Sequence, residues 1–199
     1  KLSAEYLLND FESCRGSADA YVNKYPKGKY LASALYFKAL AWAAVPENTE
    51  AAAASNAYAN ALQALNELFQ KCPEPTEQFS ALDEASYQKG WILNKAKRFD
   101  EAVKHFAAFA ETYKASSLLP YALFEQANAY KELGRDKEAI ESLRKFARQY
   151  PGNSMAPAAL YEIVVILYQK SDFEGMRQAG EDVIMAFPKD PMATDSFFW

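Results

Sequence analysis

The sequence predicts an all-α fold: a right-handed α-solenoid of antiparallel helix pairs, with about four full repeats and a half repeat at each end. Three observations lead there. Tyr113-Lys114, Tyr150-Pro151 and Phe187-Pro188 recur at a constant spacing of 37 residues, and the same shift carries Pro120-Tyr121-Ala122-Leu123-Phe124 onto Pro157-Ala158-Ala159-Leu160-Tyr161. A fixed period of this length marks stacked supersecondary units. Inside each period the apolar residues recur at helical spacing, and each unit is too short to bury its own apolar face, so neighbours complete the core.

Taken in order, residues from about Ala4 to Tyr25 match only the second helix of a unit, with Tyr25-Pro26 in register with Tyr150-Pro151 and Ala18 with Leu143. The partner first helix is expected to be absent or upstream, which makes residues 1–25 a half unit. A first full unit, about 26–73, holds Ala34-Leu35-Tyr36 in one helix. Its second helix runs from about Thr49 to Lys71, alanine-rich at its start, with Ala61, Leu65 and Leu68 as core positions. Alanine has the highest helix propensity, so the Ala51–Ala54 run adds a turn to an ordinary helix. Cys72-Pro73 ends it as Tyr150-Pro151 ends a later one.

The second unit, about 74–113, follows the acidic loop Pro73-Glu74-Pro75-Thr76-Glu77. It carries Tyr87, Gly90 and Leu93, then Ala102, Phe106 and Phe109. In the third, about 114–150, Leu123, Ala127, Tyr130 and Leu133 recur at helical spacing until Gly134, where a left-handed C-cap is expected. Asp136 is the expected N-cap of the next helix, whose apolar stripe is Ala139, Ile140, Leu143, Phe146 and Ala147. Ser117 and Ser154 open the next first helices, each followed by a proline, which the first turn tolerates. The fourth unit, about 151–187, has capping-box spacing in Ser171-Asp172-Phe173-Glu174. Residues 188–199 restart the motif, Phe197 in register with Leu160 and Phe198 with Tyr161, as expected of a truncated array.

Half of the 199 residues are hydrophobic, enough for a substantial core, and no Gly/Ser- or Pro-rich linker interrupts them, so 1–199 reads as a single domain. A formal charge of −4 argues against a nucleic-acid partner. No apolar run reaches the length of a membrane span. The single histidine, His105, sits beside core position Phe106 and reads as a surface residue. One histidine and two cysteines without carboxylates at ligand spacing make no common zinc site, and no phosphate loop, carboxylate pair or nucleophile elbow is present. The expectation is a non-enzyme without metal or cofactor. Cys14 and Cys72 align with Ala139 and Tyr150, eleven helical positions or roughly 16 Å apart in height, too far for a disulfide. Both read as unpaired core-type thiols.

Leu123, Ala127, Tyr130, Ala139, Leu143 and Pro151 stand at the offsets of a tetratricopeptide repeat, which this stretch resembles. Phe146 is larger than the small residue usual there, and the loop after Pro151 is a few residues longer. That Tyr-Pro-ended form is similar to repeats of bacterial cell-envelope proteins, such as the repeat lipoprotein of the barrel-assembly machinery and the repeat protein of the Tol–Pal system. The resemblance implies a scaffold or adaptor in envelope assembly, periplasmic or outer-membrane-associated, with membrane association only through an N-terminal anchor outside this sequence. The competing expectation is a recruiting or regulatory domain of a larger enzyme whose catalytic part lies elsewhere.

The resemblance also places Tyr36, Tyr87, Phe124, Tyr161 and Phe198 at one position of the first helix, near the concave face. These rings either line a groove or pack between units, and packing is the expectation. The co-chaperone subgroup that clamps carboxylates has lysine at this position, so that activity is not expected here. The neighbouring concave positions are the candidate peptide-binding residues: Trp91, Asn94, Lys95, Tyr121, Asn128, Lys131, Tyr168 and Gln169. They mix aromatic anchors with hydrogen-bonding groups, the composition of recognition surfaces. The implied partner is a protein or peptide segment.

Overall fold

The computed structural model describes residues 1–197, without the side chains at 194, 196 and 197. Eleven α-helices are present among them: α1 (Leu2–Leu7), α2 (Phe11–Lys24), α3 (Leu31–Ala43), α4 (Ala51–Lys71), α5 (Leu82–Lys95), α6 (Phe99–Thr112), α7 (Leu119–Glu132), α8 (Asp136–Gln149), α9 (Ala156–Gln169), α10 (Phe173–Ala186) and α11 (Pro191–Phe197). The described residues form no β-sheet, only an isolated bridge between Thr76 and Phe79. The fold class is the all-α helical repeat that the sequence predicts.

The chain divides into two compact units, Lys1–Arg98 and one starting at Phe99. In the first, α1 packs on α2 and α3, and α2, α3, α4 and α5 pack on one another in succession. Its buried residues include Cys14, Ala18, Leu35, Ala39, Ala61, Leu65, Leu68 and Ile92. In the second, α6 to α10 pack in succession and α11 lies on α9 and α10. Phe146, Leu143, Ile163, Val164, Ile166 and Val183 form its centre, with the Phe124 and Tyr150 rings 6.0 and 5.8 Å from that of Phe146. Of the core positions read from the period, Ala102, Phe106, Phe109, Ala127, Ala139, Leu143 and Phe146 are buried, while Leu123, Tyr130, Leu133 and Ile140 are half-buried.

Two turns repeat through the chain, and they explain the helix ends. Between the helices of a pair, a residue with left-handed backbone recurs: Asn9 (φ 58°), Lys97 (57°), Gly134 (68°) and Ser171 (58°). Each is closed by the same two hydrogen bonds. Around Gly134, its own N–H donates to Lys131 O and that of Arg135 to Tyr130 O. Around Asn9 the acceptors are Tyr6 O and Glu5 O, around Lys97 they are Asn94 O and Leu93 O, and around Ser171 they are Tyr168 O and Leu167 O. This double closure satisfies carbonyls that a helix end would leave bare. The α3–α4 pair departs from it: Val45 N–H bonds to Ala43 O around Ala44 (φ −74°, ψ 67°), an inverse γ-turn that opens a longer loop.

At four helix ends between pairs the residue before a proline is extended: Tyr25, Cys72, Tyr150 and Phe187 have φ between −129° and −135° and ψ between 54° and 65°. Proline disfavours the helical conformation in the residue before it, which helps to stop the helix there. Three residues after Tyr150, Phe187 and the equivalent Tyr113, the side chains of Asn153, Asp190 and Ser116 accept from the N–H of Met155, Met192 and Leu118.

Several local expectations are corrected. The stretch 4–25 is broken at Leu8–Asp10, so α1 precedes α2 and supplies the last turns of a first helix. The side chain at the α9 entry comes from Asn153 rather than Ser154, and at the α7 entry from Ser116 rather than Ser117, one residue earlier in both cases. Asp136 is the first residue of α8, not its cap, and instead pairs with Lys170 at 2.7 Å. Asp172, not Ser171, caps α10 through Gly175 N–H at 3.0 Å, because Ser171 is the left-handed residue of the turn. His105 is half-buried, with its ring edge-on to Phe106 at 6.2 Å. Both cysteines are free thiols, but only Cys14 is buried; Cys72 is half-buried at a helix end. Burial pushes both thiols above their ordinary pKa. The expectation for Phe198 lies outside the described residues.

Candidate peptide-binding face

In the first unit, α1, α3 and α5 converge on a hollow of about 310 Å³ lined by Tyr6, Leu40, Ala43, Ala44, Tyr87, Gln88 and Trp91. The sequence builds it by register. Leu40 and Trp91 occupy one repeat position, and Tyr6 and Ala43 another. On α5, Tyr87, Gln88 and Trp91 fall on one face at i, i+1 and i+4, while Ala85, Ile92 and Leu93 point into the core. Small Ala43 and Ala44 at the end of α3 leave the space that the three aromatic rings surround.

The walls are held from behind. Tyr6 packs on Phe11 and Phe37 at 5.6 and 6.0 Å. The Arg15 guanidinium lies 4.4 Å from the Trp42 ring centroid and donates to Ala41 O at 3.2 Å, placing a cation over the C-terminal carbonyls of α3. Tyr36 is buried against Phe79 (5.5 Å) and hydrogen-bonds Glu84, which ties α3 to α5. Burial and the neighbouring Glu84 carboxylate push the Tyr36 phenol well above its ordinary pKa. Phe79 comes from a loop that the sequence marks only as acidic and proline-bearing, so this anchor is not legible there.

Of the candidate residues, Trp91 lines the hollow, and Lys95 stands over its ring at 5.1 Å, four residues on along α5. Asn94 is half-buried on the same helix. Tyr121, Asn128, Lys131, Tyr168 and Gln169 belong to the second unit. Tyr121 at the start of α7 is 38% exposed and Tyr168 near the end of α9 is 47% exposed. Asn128 is half-buried and Gln169 exposed. Lys131 is engaged by Glu162 of α9, a part-buried ion pair that joins the two first helices, so its charge is already neutralised.

The aromatic repeat position divides as well. Tyr36 and Phe124 pack inside their units, while Tyr87 lines the hollow. Tyr6, Leu40 and Gln88 join the hollow without standing among the candidates that the sequence marks. The signal for Tyr6 is its register with Lys131, hidden because a six-residue α1 does not show as a first helix. Chemically the hollow offers aromatic and aliphatic walls with one amide, Gln88, suited to desolvating an apolar side chain beside a backbone group. Among the described residues, no group of three or more His, Cys, Asp or Glu could hold a metal ion.

Residues 84–116 and 121–153 match the family model of the tetratricopeptide repeat, and they correspond to α5–α6 and α7–α8. No curated protein matches the chain. Among solved structures it is similar to a piece of MamA from Desulfovibrio magneticus RS-1, at 16% identity over 96% of this chain and 93% of that one, TM-score 0.68. It is similar to YrrB, described as a tetratricopeptide-repeat protein with an unusual peptide-binding site, at 16% identity over 100% and 89%, TM-score 0.66. A tetratricopeptide-repeat protein from Parabacteroides merdae shares 12% identity over 100% of this chain and 70% of that one, TM-score 0.69. At these identities the likeness is one of fold.

Proposed function

We propose that the chain is a non-catalytic interaction module that holds a protein or peptide segment on the face formed by the first helices of its Lys1–Arg98 unit. The observation that carries this is the hollow at Trp91, where three aromatic rings and Leu40 surround space beside one amide. Aromatic anchors in desolvated pockets dominate interface energetics, and an open helical face suits a helix or extended peptide. YrrB, a protein of this fold, is described as having a peptide-binding site, which supports the same reading. In the second unit, Tyr121, Asn128, Tyr168 and Gln169 are candidate contacts of that unit's own first helices. Lys131 acts there as the partner of Glu162.

The Tyr-Pro-ended turns favour a bacterial cell-envelope setting, with the module holding part of an assembly at the periplasmic side or at the outer membrane. Pull-down from the native organism tests the face. Trp91→Ala with Asn94→Ala should lose the partner, and Asn128→Ala with Lys131→Ala should weaken it. Retention by both pairs, with melting temperatures near wild type, would sink the proposal.

A further inference from the structure

Along α8 runs a second hollow, about 660 Å³, lined by Lys137, Arg144, Lys145 and Arg148 with Glu141 as its one carboxylate and Ile140 on its floor. Arg144 and Arg148 also line an adjoining hollow of about 340 Å³ with Leu160, Phe187 and Asp182. Lys137, Glu141, Arg144, Lys145 and Arg148 follow helical spacing, which puts them on one stripe. Five other cations of this unit are paired: Lys114 with Glu111, Lys131 with Glu162, Arg135 with Glu138, Lys170 with Asp136, and Arg177 with Glu174 and Glu181, while Lys104 and Lys189 stand apart from the stripe without a salt bridge among the described residues. Among the described residues, none of the four cations on the stripe forms a salt bridge, and Arg144 Nε is buried without a hydrogen-bond partner.

We propose that this stripe is a second docking surface, taking a short acidic peptide segment that carries an apolar anchor. Charge complementarity selects the acid, and the half-buried Ile140, Leu160 and Phe187 offer the anchor a floor. Length selects a short segment. From Lys137 to Arg148 the stripe spans about 16 Å of helix. Residues 99–199 as a whole carry fifteen Asp and Glu against eleven Lys and Arg, so a long polyanion would run off the stripe onto like charge. The surface is independent of the hollow at Trp91.

Fluorescence anisotropy with a labelled peptide, Glu-Glu-Leu-Glu-Glu-Phe-Glu-Glu, and its Gln-for-Glu counterpart tests this on the full chain at low salt. The acidic peptide should bind saturably and the Gln peptide should not. Arg144→Gln, and separately the exposed pair Lys145→Gln with Arg148→Gln, should each weaken binding about tenfold. Lys27→Gln with Lys29→Gln, equal in charge change, and Trp91→Ala should each leave it within about twofold. Equal loss in the Lys27/Lys29 control, absence of saturable binding, equal binding of the Gln peptide, or tighter binding of an oligouridylate or of phosphatidylserine vesicles would overturn the proposal. The exposed pair decides the matter even where Arg144→Gln perturbs folding.

Discussion

At Gly134 the backbone turns left-handed at φ 68°, and a Cβ built there would meet nothing within 4 Å. A side chain is therefore opposed by the backbone alone, and Gly134→Ala should destabilise by about 1 kcal/mol. Lys97 holds the same turn with a side chain (φ 57°), so Lys97→Gly should stabilise by about 0.5–1 kcal/mol, the strain relieved being partly offset by glycine's entropy. Denaturant midpoints of the two variants should move in opposite directions; a shift in the same direction would contradict the equivalence of the turns. Gly134 can be read from sequence because glycine advertises the conformation. Asn9 carries a weaker mark, and Lys97 and Ser171 carry none, because the double hydrogen bond holds residues that do not favour this conformation.

Tyr36 gives a second prediction at this scale. Its folded pKa lies above the ordinary phenol value, so folding keeps a proton that the unfolded chain releases above about pH 10. The stabilisation is complete below that pH and is lost progressively as pH rises from there towards the higher folded pKa. The stability advantage of wild type over Tyr36→Phe should shrink between about pH 9 and 11 in paired denaturation curves. An advantage that stays constant or grows would place the phenol in water.

Among the elements, α8 shows how much the period contains. Of its stripe Ala139, Ile140, Leu143, Phe146 and Ala147, all but the half-buried Ile140 are fully or nearly buried, as the 37-residue register requires. Phe146 is 0% exposed and touches two further rings, so Phe146→Ala should cost about 3–5 kcal/mol. Lys104→Ala, on an exposed position of α6, should stay within about 0.5 kcal/mol of wild type. Comparable chemical-denaturation midpoints would remove Phe146 from the core. α1 escapes detection for a physical reason. Six residues are too few to show helical periodicity, and the break after it is made by Asn9, not by Gly or Pro. Helix ends set by side-chain caps are similarly displaced by a residue, since Ser, Asn and Asp all serve.

For the whole molecule, the repeat arithmetic fixes the helix pairs, while the candidate site is legible only in part. The periodic positions identify which face of each first helix is available, and Trp91 stands out that way. They do not report what a residue meets across the helix, so Lys131 looks free in sequence although Glu162 engages it. Nor does periodicity reveal Tyr6 and Ala43 shaping the hollow from two other helices.

The central claim is that this hollow anchors a partner's apolar side chain. Isothermal titration of a captured partner segment onto wild type, Trp91→Ala and the Lys145→Gln/Arg148→Gln double variant tests it directly. The account predicts that Trp91→Ala weakens binding by about 2 kcal/mol or more, roughly thirtyfold, while the double variant leaves it unchanged. Unaltered affinity in Trp91→Ala, or a loss confined to the double variant, would contradict it.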